Sequence, residues 1–322
     1  MDKYSEKNQK EGKLLQEEIT RLLREKKHEK SPVAFKDYID YANRLIDLMN
    51  ENRDKSVPII DLPFFRGQSK STYPLCSTLE RERSRMYVSE YYLKVNEVLP
   101  IFETHLDINF SRTEEFYNFI DPMYFDNKKS SSLIEIPGKL PMGELLVFLR
   151  HHGFPSPLLD WSESPYVAAY FAFRDVKCSE ACVCKKGSEE ASKVAIFMLV
   201  KTVTGISGGN MAESQIFEYH HHAKSTPRHY IQKARYTVCL GEKREASSEA
   251  DQLRIRYYFD SHQNVFDRDS AHPTQNIVIK FELKTCERKS VLEQLDRMNI
   301  NEYTLMNTVD SLAYWQKQKV FA

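Results

Sequence analysis

Residues 144–173 read ELLVFLRHHGFPSPLLDWSESPYVAAYFAF, and they join the most apolar helix-like run of the chain to its densest set of polar side chains. The helix predicted to end near Arg150 cannot continue through Pro155, because proline lacks the backbone N–H and biases the preceding residue away from the α region. We therefore expect a short buried strand at 158–161 and then a new helix with Pro165 in its first turn.

Three kinds of polar side chain meet at this predicted strand-to-helix junction. Asp160 and Trp161 lie at the end of the strand, and Ser162 or Ser164 can cap the helix. A helix N-terminus presents free backbone N–H groups that suit anionic ligands, so the junction is a candidate binding site. A structural interpretation stays open, in which Asp160 is a buried cap, Trp161 is core and the histidines at 151–152 favour the dipole of the preceding helix.

The composition is typical of a folded globular protein. The chain has 46 basic and 46 acidic residues, a balance that argues against a surface built wholly to bind nucleic acid or an anionic membrane. Hydrophobic residues make up 41% of the chain, which excludes a mainly disordered protein. The sequence has no run of about 18 apolar residues and begins MDKYSEKNQK, so we expect no membrane contact, no signal peptide and a cytoplasmic location.

The cysteines and histidines do not predict a metal site. Cys178, Cys182 and Cys184 form a C-x3-C-x-C cluster in a charged segment, but zinc needs four ligands and no fourth is obvious nearby. The adjacent histidines at 220–222 cannot all converge on one ion, because neighbouring side chains point in different directions.

Two helices are predicted ahead of the first strand. Apolar residues recur at helical spacing within residues 1–30, and a second helix is expected from Phe35 to about Asn50. The apolar stripe of the first helix, within residues 10–28, needs a partner, which is the body of the protein, a second copy of the chain or another protein. We treat residues 1–55 as an N-terminal helical extension.

The rest of the chain predicts an α+β fold. Residues 57–68 form a short aromatic and β-branched run that breaks at Gly67, as a buried strand ending in a turn should. The continuous apolar run at 194–200 and the alternating run at 277–283 predict further strands. Because helices dominate the first half and strands the second, we expect a mixed or antiparallel central sheet flanked by helices.

Arg66 lies at the end of the first of these apolar runs. A guanidinium there must be paired, and its planar fork fits a carboxylate or a phosphate. Arg66 is therefore either a structural clamp on an acid such as Asp160 or an anchor for a ligand.

Motifs in chain order resemble the FRG domain family, which is named for a Phe-Arg-Gly tripeptide. The first is FRGQ at 65–68, with Tyr73-Pro-Leu after it, and the second is the HHGFP…LLDWS signature at 151–162 with an alanine-rich continuation. A third, weaker match is QKARYT at 232–237, where a lysine and an alanine replace the family's second glutamine and glycine. The resemblance implies an FRG domain at residues 56–318.

The same arrangement more remotely resembles the ADP-ribosyltransferase fold, which implies NAD as a substrate. An arginine would hold the pyrophosphate or the nicotinamide ribose, an aromatic would stack on the nicotinamide, and polar groups would steady the ribose as its glycosidic bond stretches. The implied catalytic residues are Arg66, Asp160, Ser162 and Gln232. The implied binding residues are Arg66, Gly67, Gln68, Tyr73, His152 and Trp161.

These resemblances imply an NAD-using effector in a bacterial cytoplasm, of the toxin or anti-phage defence type, that modifies a protein or nucleic acid. Gln232 stands where such a transferase usually has a glutamate, and a glutamine cannot act as a base. One alternative is a non-catalytic module that binds a nucleotide or nucleic acid and signals to a partner through its N-terminal helix. Another is a hydrolase or nuclease that uses Asp160 and His152.

Overall fold

The fold is described from a computed structural model. It covers residues 3–27, 32–55, 61–107, 109–110, 112, 116–117, 140–177, 192–203, 213–219, 227–246, 253–271 and 274–321. The helices are α1 (Lys3–Lys27), α2 (Phe35–Lys55), α3 (Thr78–Glu82), α4 (Val88–Leu106), α5 (Gly143–His151), α6 (Pro165–Phe173), α7 (Pro227–Ile231), α8 (His262–Arg268), α9 (Arg288–Arg297), α10 (Glu302–Met306) and α11 (Val309–Phe321). The strands are β1 (Phe64–Gln68), β2 (Met86–Tyr87), β3 (Leu158–Ser162), β4 (Lys193–Thr202), β5 (Gln215–Tyr219), β6 (Ala234–Ala246), β7 (Leu253–Phe259) and β8 (Gln275–Lys284).

The strands form one sheet in the order β2-β7-β6-β3-β1-β4-β8, and β5 pairs with β6. Each of these pairings is antiparallel. Apolar side chains of α2, α6 and α9 pack on β1, β4 and β8, while those of α4 and α5 pack on β3 and β6. A third core, which includes Trp161 and Phe266, joins α8 to the central strands. The prediction of an α+β fold with an antiparallel sheet flanked by helices is therefore confirmed.

The apolar stripe of α1 packs on the body of the protein. Ile19 and Leu23 are buried in the same core as Phe281 of β8. Asn52 of α2 donates a hydrogen bond to the Gly12 carbonyl at 2.8 Å, which fixes the two helices against each other. The two N-terminal helices and the sheet thus share one hydrophobic core.

Ser164, rather than Ser162, caps α6. Its hydroxyl accepts a hydrogen bond from the Val167 N–H at 3.3 Å, and Pro165 occupies the first helical turn. A serine cap followed by proline is the arrangement expected where the first N–H groups of a helix lack carbonyl partners. This cap places the start of α6 directly after the polar end of β3.

Gly67 allows α6 to lie in direct contact with β1. A Cβ at this position would lie 1.9 Å from the Ala168 carbonyl oxygen and 2.5 Å from the Ala172 backbone nitrogen. Real Cβ atoms do not approach backbone atoms so closely, and neither atom belongs to a side chain that can rotate away. Close helix-on-strand packing therefore requires glycine at position 67.

We expect Gly67→Ala to destabilise the protein by about 3 kcal/mol or more, at or beyond the upper end for overpacked cores. Gly153→Ala is the matched control, because its added methyl group meets nothing within 4 Å although its φ is +82°. That left-handed conformation costs a non-glycine residue about 1–2 kcal/mol. Urea denaturation measures both free energies of unfolding. Equal losses in the two variants would contradict the close-packing explanation.

Candidate functional site

A cavity of about 610 Å³ opens where β1 and β3 diverge. The two strands pair at Phe65 and Ser162, whereas β1 pairs with β4 along all five of its residues. The cavity wall is made by β1, β3, one side of α6 and the segment that follows β1. Its volume falls within the range of about 300–1,000 Å³ that is usual for small-molecule sites.

One carboxylate held by two guanidiniums forms the floor of the cavity. Arg66 Nη1 donates to Asp160 Oδ1 at 2.8 Å and to the Asp160 carbonyl at 2.7 Å. Arg150, at the end of α5, donates to the same Oδ1 from Nε at 3.1 Å and from Nη2 at 2.5 Å. The clamp predicted for Arg66 is present, and Arg150 is a second arginine in it.

The two arginines keep Asp160 ionised. Burial raises the pKa of its carboxyl, but the charges of Arg150 and Arg66 outweigh burial and hold the pKa well below its usual range. Burial lowers the pKa of Arg66, and the Asp160 charge opposes that effect. Two positive charges facing one negative charge leave the floor with a net positive charge.

The rim adds a further positive charge. Arg81 of α3 lines the cavity, and it has no ion-pair partner among the described residues. The carboxylate of Asp175, also on the rim, lies 3.2 Å from Arg174 Nε, but Arg174 also pairs with Glu302, so Asp175 offsets only part of the positive charge of the three arginines. The cavity therefore suits an anionic ligand.

Two buried polar atoms at the cavity wall lack partners within the described part of the chain. They are Arg66 Nε and Gln68 Oε1, although Gln68 Nε2 donates to the Pro74 carbonyl at 3.2 Å. An unpaired buried polar atom costs about 1–3 kcal/mol, and such atoms are uncommon in folded proteins. These two atoms show that hydrogen bonding at the end of β1 is incomplete in the protein alone.

The structure brings nearly all of the predicted site residues together. Those that line the cavity are Arg66, Gly67, Gln68, Tyr73, Asp160, Trp161, Ser162 and Gln232. His152 does not line it, and its ring instead lies 4.3 Å from that of Phe148. His151, the last residue of α5, occupies the cavity wall instead.

Several of these side chains already have structural partners. The Ser162 hydroxyl donates to the Gln232 carbonyl at 2.7 Å and accepts from the Ser164 N–H at 3.0 Å. Gln232 Nε2 donates to the Leu305 carbonyl at 3.0 Å, and Trp161 Nε1 donates to Thr237 at 3.0 Å. The bonds of Trp161 and Ser162 therefore hold β3 to β6 and to the segment before it, and the bond of Gln232 reaches α10.

Sequence reasoning missed Arg150 and His151 as site residues. His151 Nε2 lies 3.0 Å from the Tyr236 hydroxyl, and burial lowers the pKa of His151 to about 4. The imidazole is therefore neutral at physiological pH. The sequence showed these two polar residues at the end of an apolar helix, but it did not reveal which face of that helix meets the cavity.

A comparison with known protein families identifies the domain that carries this site. Residues 62–181 match the family model described as the FRG domain. The chain carries an FRG domain. The match includes β1, with the Phe-Arg-Gly tripeptide, and the signature that ends in β3, so the predicted membership is confirmed. Comparison with curated proteins and with solved structures finds no match.

The charged floor of the cavity comes entirely from the matched part of the FRG domain. Arg66, Arg150 and Asp160 all lie within residues 62–181, whereas Gln232 and the helices α1 and α2 lie outside them. The matched segment thus carries its own clamp, and later parts of the chain complete the cavity wall.

Neither a metal cluster nor a membrane helix is found in the described part of this FRG-domain protein. Its residues include no group of three or more His, Cys, Asp or Glu side chains placed to hold a metal ion. The cysteine cluster at 178–184 and the histidines at 220–222 lie outside the described residues. None of the described helices is both long enough and apolar enough to cross a bilayer.

We expect Asp160→Asn to destabilise the protein by about 1–3 kcal/mol, because it leaves two adjacent guanidiniums without a counter-charge. The loss is smaller than the about 3–5 kcal/mol of a fully buried pair, since 40% of the Asp160 side chain is exposed and water screens its charge. Asp175→Asn, at a 67%-exposed rim position, should change stability by less than about 0.5 kcal/mol. Urea denaturation at pH 7 compares the two variants, and equal effects would contradict the clamp.

The contribution of Asp160 to the free energy of unfolding should also depend on pH. Its pKa is lower in the folded protein than the about 3.9 of an unfolded chain, so its ionised form contributes stability at and above pH values near 4. That contribution is lost as the pH falls through the folded pKa. The difference in unfolding free energy between the wild type and Asp160→Asn should therefore shrink below about pH 4. A difference that grew under acid would contradict this sign.

Proposed function

We propose that the cavity of the FRG domain binds NAD, and that the protein is an ADP-ribosyltransferase-like enzyme that uses NAD as its substrate. The observation that carries this proposal is the surplus of positive charge at the cavity floor, where Arg66 and Arg150 share one carboxylate. A pyrophosphate can take up that surplus through charge-assisted hydrogen bonds to the guanidiniums. Arg81 at the rim adds attraction for the same group.

Aromatic and amide groups next to the arginines suit the two rings of a dinucleotide. The Tyr73 side chain is 48% exposed at the cavity, and Phe171 of α6 lines it as well. Trp161 is only 3% exposed and bonded to Thr237, so Tyr73 is the better stacking surface for nicotinamide. A ligand amide with one acceptor and one donor would match the unpaired atoms of Arg66 and Gln68 after a small side-chain adjustment.

The chemistry of such an enzyme is dissociative. The bond from ribose C1′ to the nicotinamide nitrogen stretches, and positive charge develops on the ribose. The residues of this chain would contribute by fixing the pyrophosphate on Arg66 and Arg150 and the nicotinamide ring near Tyr73, so that the ribose is held for attack on one face. Gln232 would supply a polar but uncharged group on the cavity wall, where its Nε2 already donates to the Leu305 carbonyl.

A non-catalytic nucleotide-binding module is the second candidate. It is favoured by the engagement of the predicted catalytic groups, since Asp160 is neutralised, the Ser162 hydroxyl is bonded to the Gln232 carbonyl, and the Gln232 amide is bonded to Leu305. Such a module would bind NAD without turnover. A hydrolase that uses Asp160 and His152 has no comparable support, because His152 lies off the cavity wall.

Nicotinamide release from NAD, with and without cell extract, tests the proposal. Arg66→Lys keeps the charge but loses the planar fork, so we expect release to fall at least about 10-fold. Arg83→Lys is the matched control, since Arg83 pairs with Glu90 on the surface and does not line the cavity. A thermal melt of each variant confirms folding.

The outcomes separate the two candidates. Release that depends on extract and on Arg66 supports a transferase and directs the search to its target. A rise in melting temperature with NAD but no release leaves the binding module. If the wild type shows neither nicotinamide release nor a rise in melting temperature with NAD, the NAD proposal is overturned.

We also expect Arg81→Gln to weaken NAD binding by about 1.5- to 5-fold, the range of one exposed charge contact. The effect should fade in high salt, because the rim is open to solvent. Arg83→Gln, two residues later in the chain and off the cavity wall, should leave the dissociation constant unchanged. Isothermal titration calorimetry at two salt concentrations measures both, and equal affinities in the two variants would contradict a role for Arg81.

A further inference from the structure

We propose that His151 is the general base of this cavity, and that Tyr236 and His229 carry its proton to the protein surface. The inference rests on the proposed use of NAD, because a transfer reaction needs a group that accepts a proton from the attacking molecule. It assigns a residue to the task that Gln232 cannot perform.

Three side chains from separate elements form a continuous hydrogen-bonded chain. His151 Nε2 of α5 lies 3.0 Å from the Tyr236 hydroxyl of β6, and His229 Nδ1 of α7 lies 3.3 Å from that same hydroxyl. The rings of His229 and Tyr236 stack at a centroid distance of 5.7 Å and an angle of 18°. Because one hydroxyl can donate to one imidazole while it accepts from the other, the three groups can pass a proton in sequence.

The two carboxylates and the Ser162 hydroxyl on the cavity wall are poorly suited to act as the base. Asp160 is held by two guanidiniums, and Asp175 is paired with Arg174 on the rim. The Ser162 hydroxyl already donates to the Gln232 carbonyl. His151 is left as a neutral side chain with a nitrogen lone pair.

The charges around His151 favour passing the proton onward. Burial lowers its pKa to about 4, the Asp160 charge opposes this, and the charges of Arg150 and Arg228 and the neighbouring His152 lower it further. A proton accepted from the substrate is therefore unstable on His151. His229 is less enclosed than Tyr236, so the relay runs from the cavity toward solvent.

These three side chains and water account for every proton that moves in the transfer step. The bond between ribose C1′ and the nicotinamide nitrogen breaks, its electron pair leaves with nicotinamide, and an oxygen or nitrogen of the acceptor forms the new bond to C1′. The acceptor proton goes to His151 Nδ1, the His151 Nε2 proton goes to the Tyr236 oxygen, and the Tyr236 proton goes to His229 Nδ1. His229 then releases a proton to water, and no oxidant or reductant is required.

Histidine variants test the role of His151 in the nicotinamide-release assay. We expect His151→Gln to lower the turnover rate by about 10²-fold, the lower end for a general base because its low pKa makes it a weak base, while the dissociation constant for NAD changes less than about 2-fold. Added imidazole should restore part of the activity of His151→Gly, which a purely structural role would not allow. His105→Gln, at an exposed position on α4, is the control for removing a histidine.

The relay also requires a particular tautomer, which can be measured without turnover. At pH 7, His151 must carry its proton on Nε2 and leave Nδ1 unprotonated, a state that nitrogen-15 NMR of the histidine side chains identifies. Protonation on Nδ1 would overturn the proposal. Tyr236→Phe should move the His151 Nε2 resonance and lower turnover, and unchanged values for both would also overturn it.

Different results would exclude His151 as the base and NAD as the substrate. If the wild type binds NAD but never releases nicotinamide, both the transfer reaction and the role of His151 as its base are excluded. If His151→Gln retains turnover, or if His152→Gln loses it instead, His151 is not the base, but the protein is still an NAD-using enzyme.

Discussion

The Asp160 carboxylate, held between Arg66 and Arg150, is the interaction on which the site depends. Arg66 lies on β1, Asp160 on β3 and Arg150 at the end of α5, so one carboxylate joins three elements. Removing Asp160 would leave two adjacent guanidiniums without a counter-charge, although solvent at the partly exposed carboxylate reduces the cost. The clamp therefore ties β1, β3 and α5 together at the floor of the cavity.

Each residue of the Phe-Arg-Gly tripeptide has a separate physical task in this arrangement. Phe65 is fully buried in the core beneath α2 and α6. Arg66 reaches Asp160 across the divergence of the strands, and Gly67 leaves room for the backbone of α6. The tripeptide thus specifies a packed strand, a charged floor and a close helix contact within three positions. A ligand that binds the surplus positive charge would use a feature that the fold already needs for its stability.

Local features of the structure were predictable from sequence, and long-range ones were less so. The serine cap and proline start of α6 and the apolar run of β4 follow from neighbouring residues, and all are present. The pairing of Arg66 with Asp160 could be named because a guanidinium next to a buried strand needs an acid. Arg150 was missed, since nothing local shows which face of α5 meets β3. His152 was predicted as a site residue while His151 lines the cavity, since the sequence does not show where α5 ends or which way its last side chains point.

The position of α1 shows a similar limit. Its apolar stripe predicted a partner but could not identify one, because the same stripe fits the body of the protein, a second copy or another protein. Packing of Ile19 and Leu23 on the sheet required knowledge of where β8 lies. Chemistry was least predictable of all, since the hydroxyl of Ser162 and the amide of Gln232 are engaged in bonds that no sequence pattern announces.

A crystal structure of the protein with a non-hydrolysable carba analogue of NAD tests the central claim most directly. The account predicts that the pyrophosphate lies within hydrogen-bond distance of the guanidiniums at the cavity floor, with the nicotinamide ring near Tyr73. A bound analogue elsewhere on the protein, or a cavity without it at saturating concentration, would contradict the account.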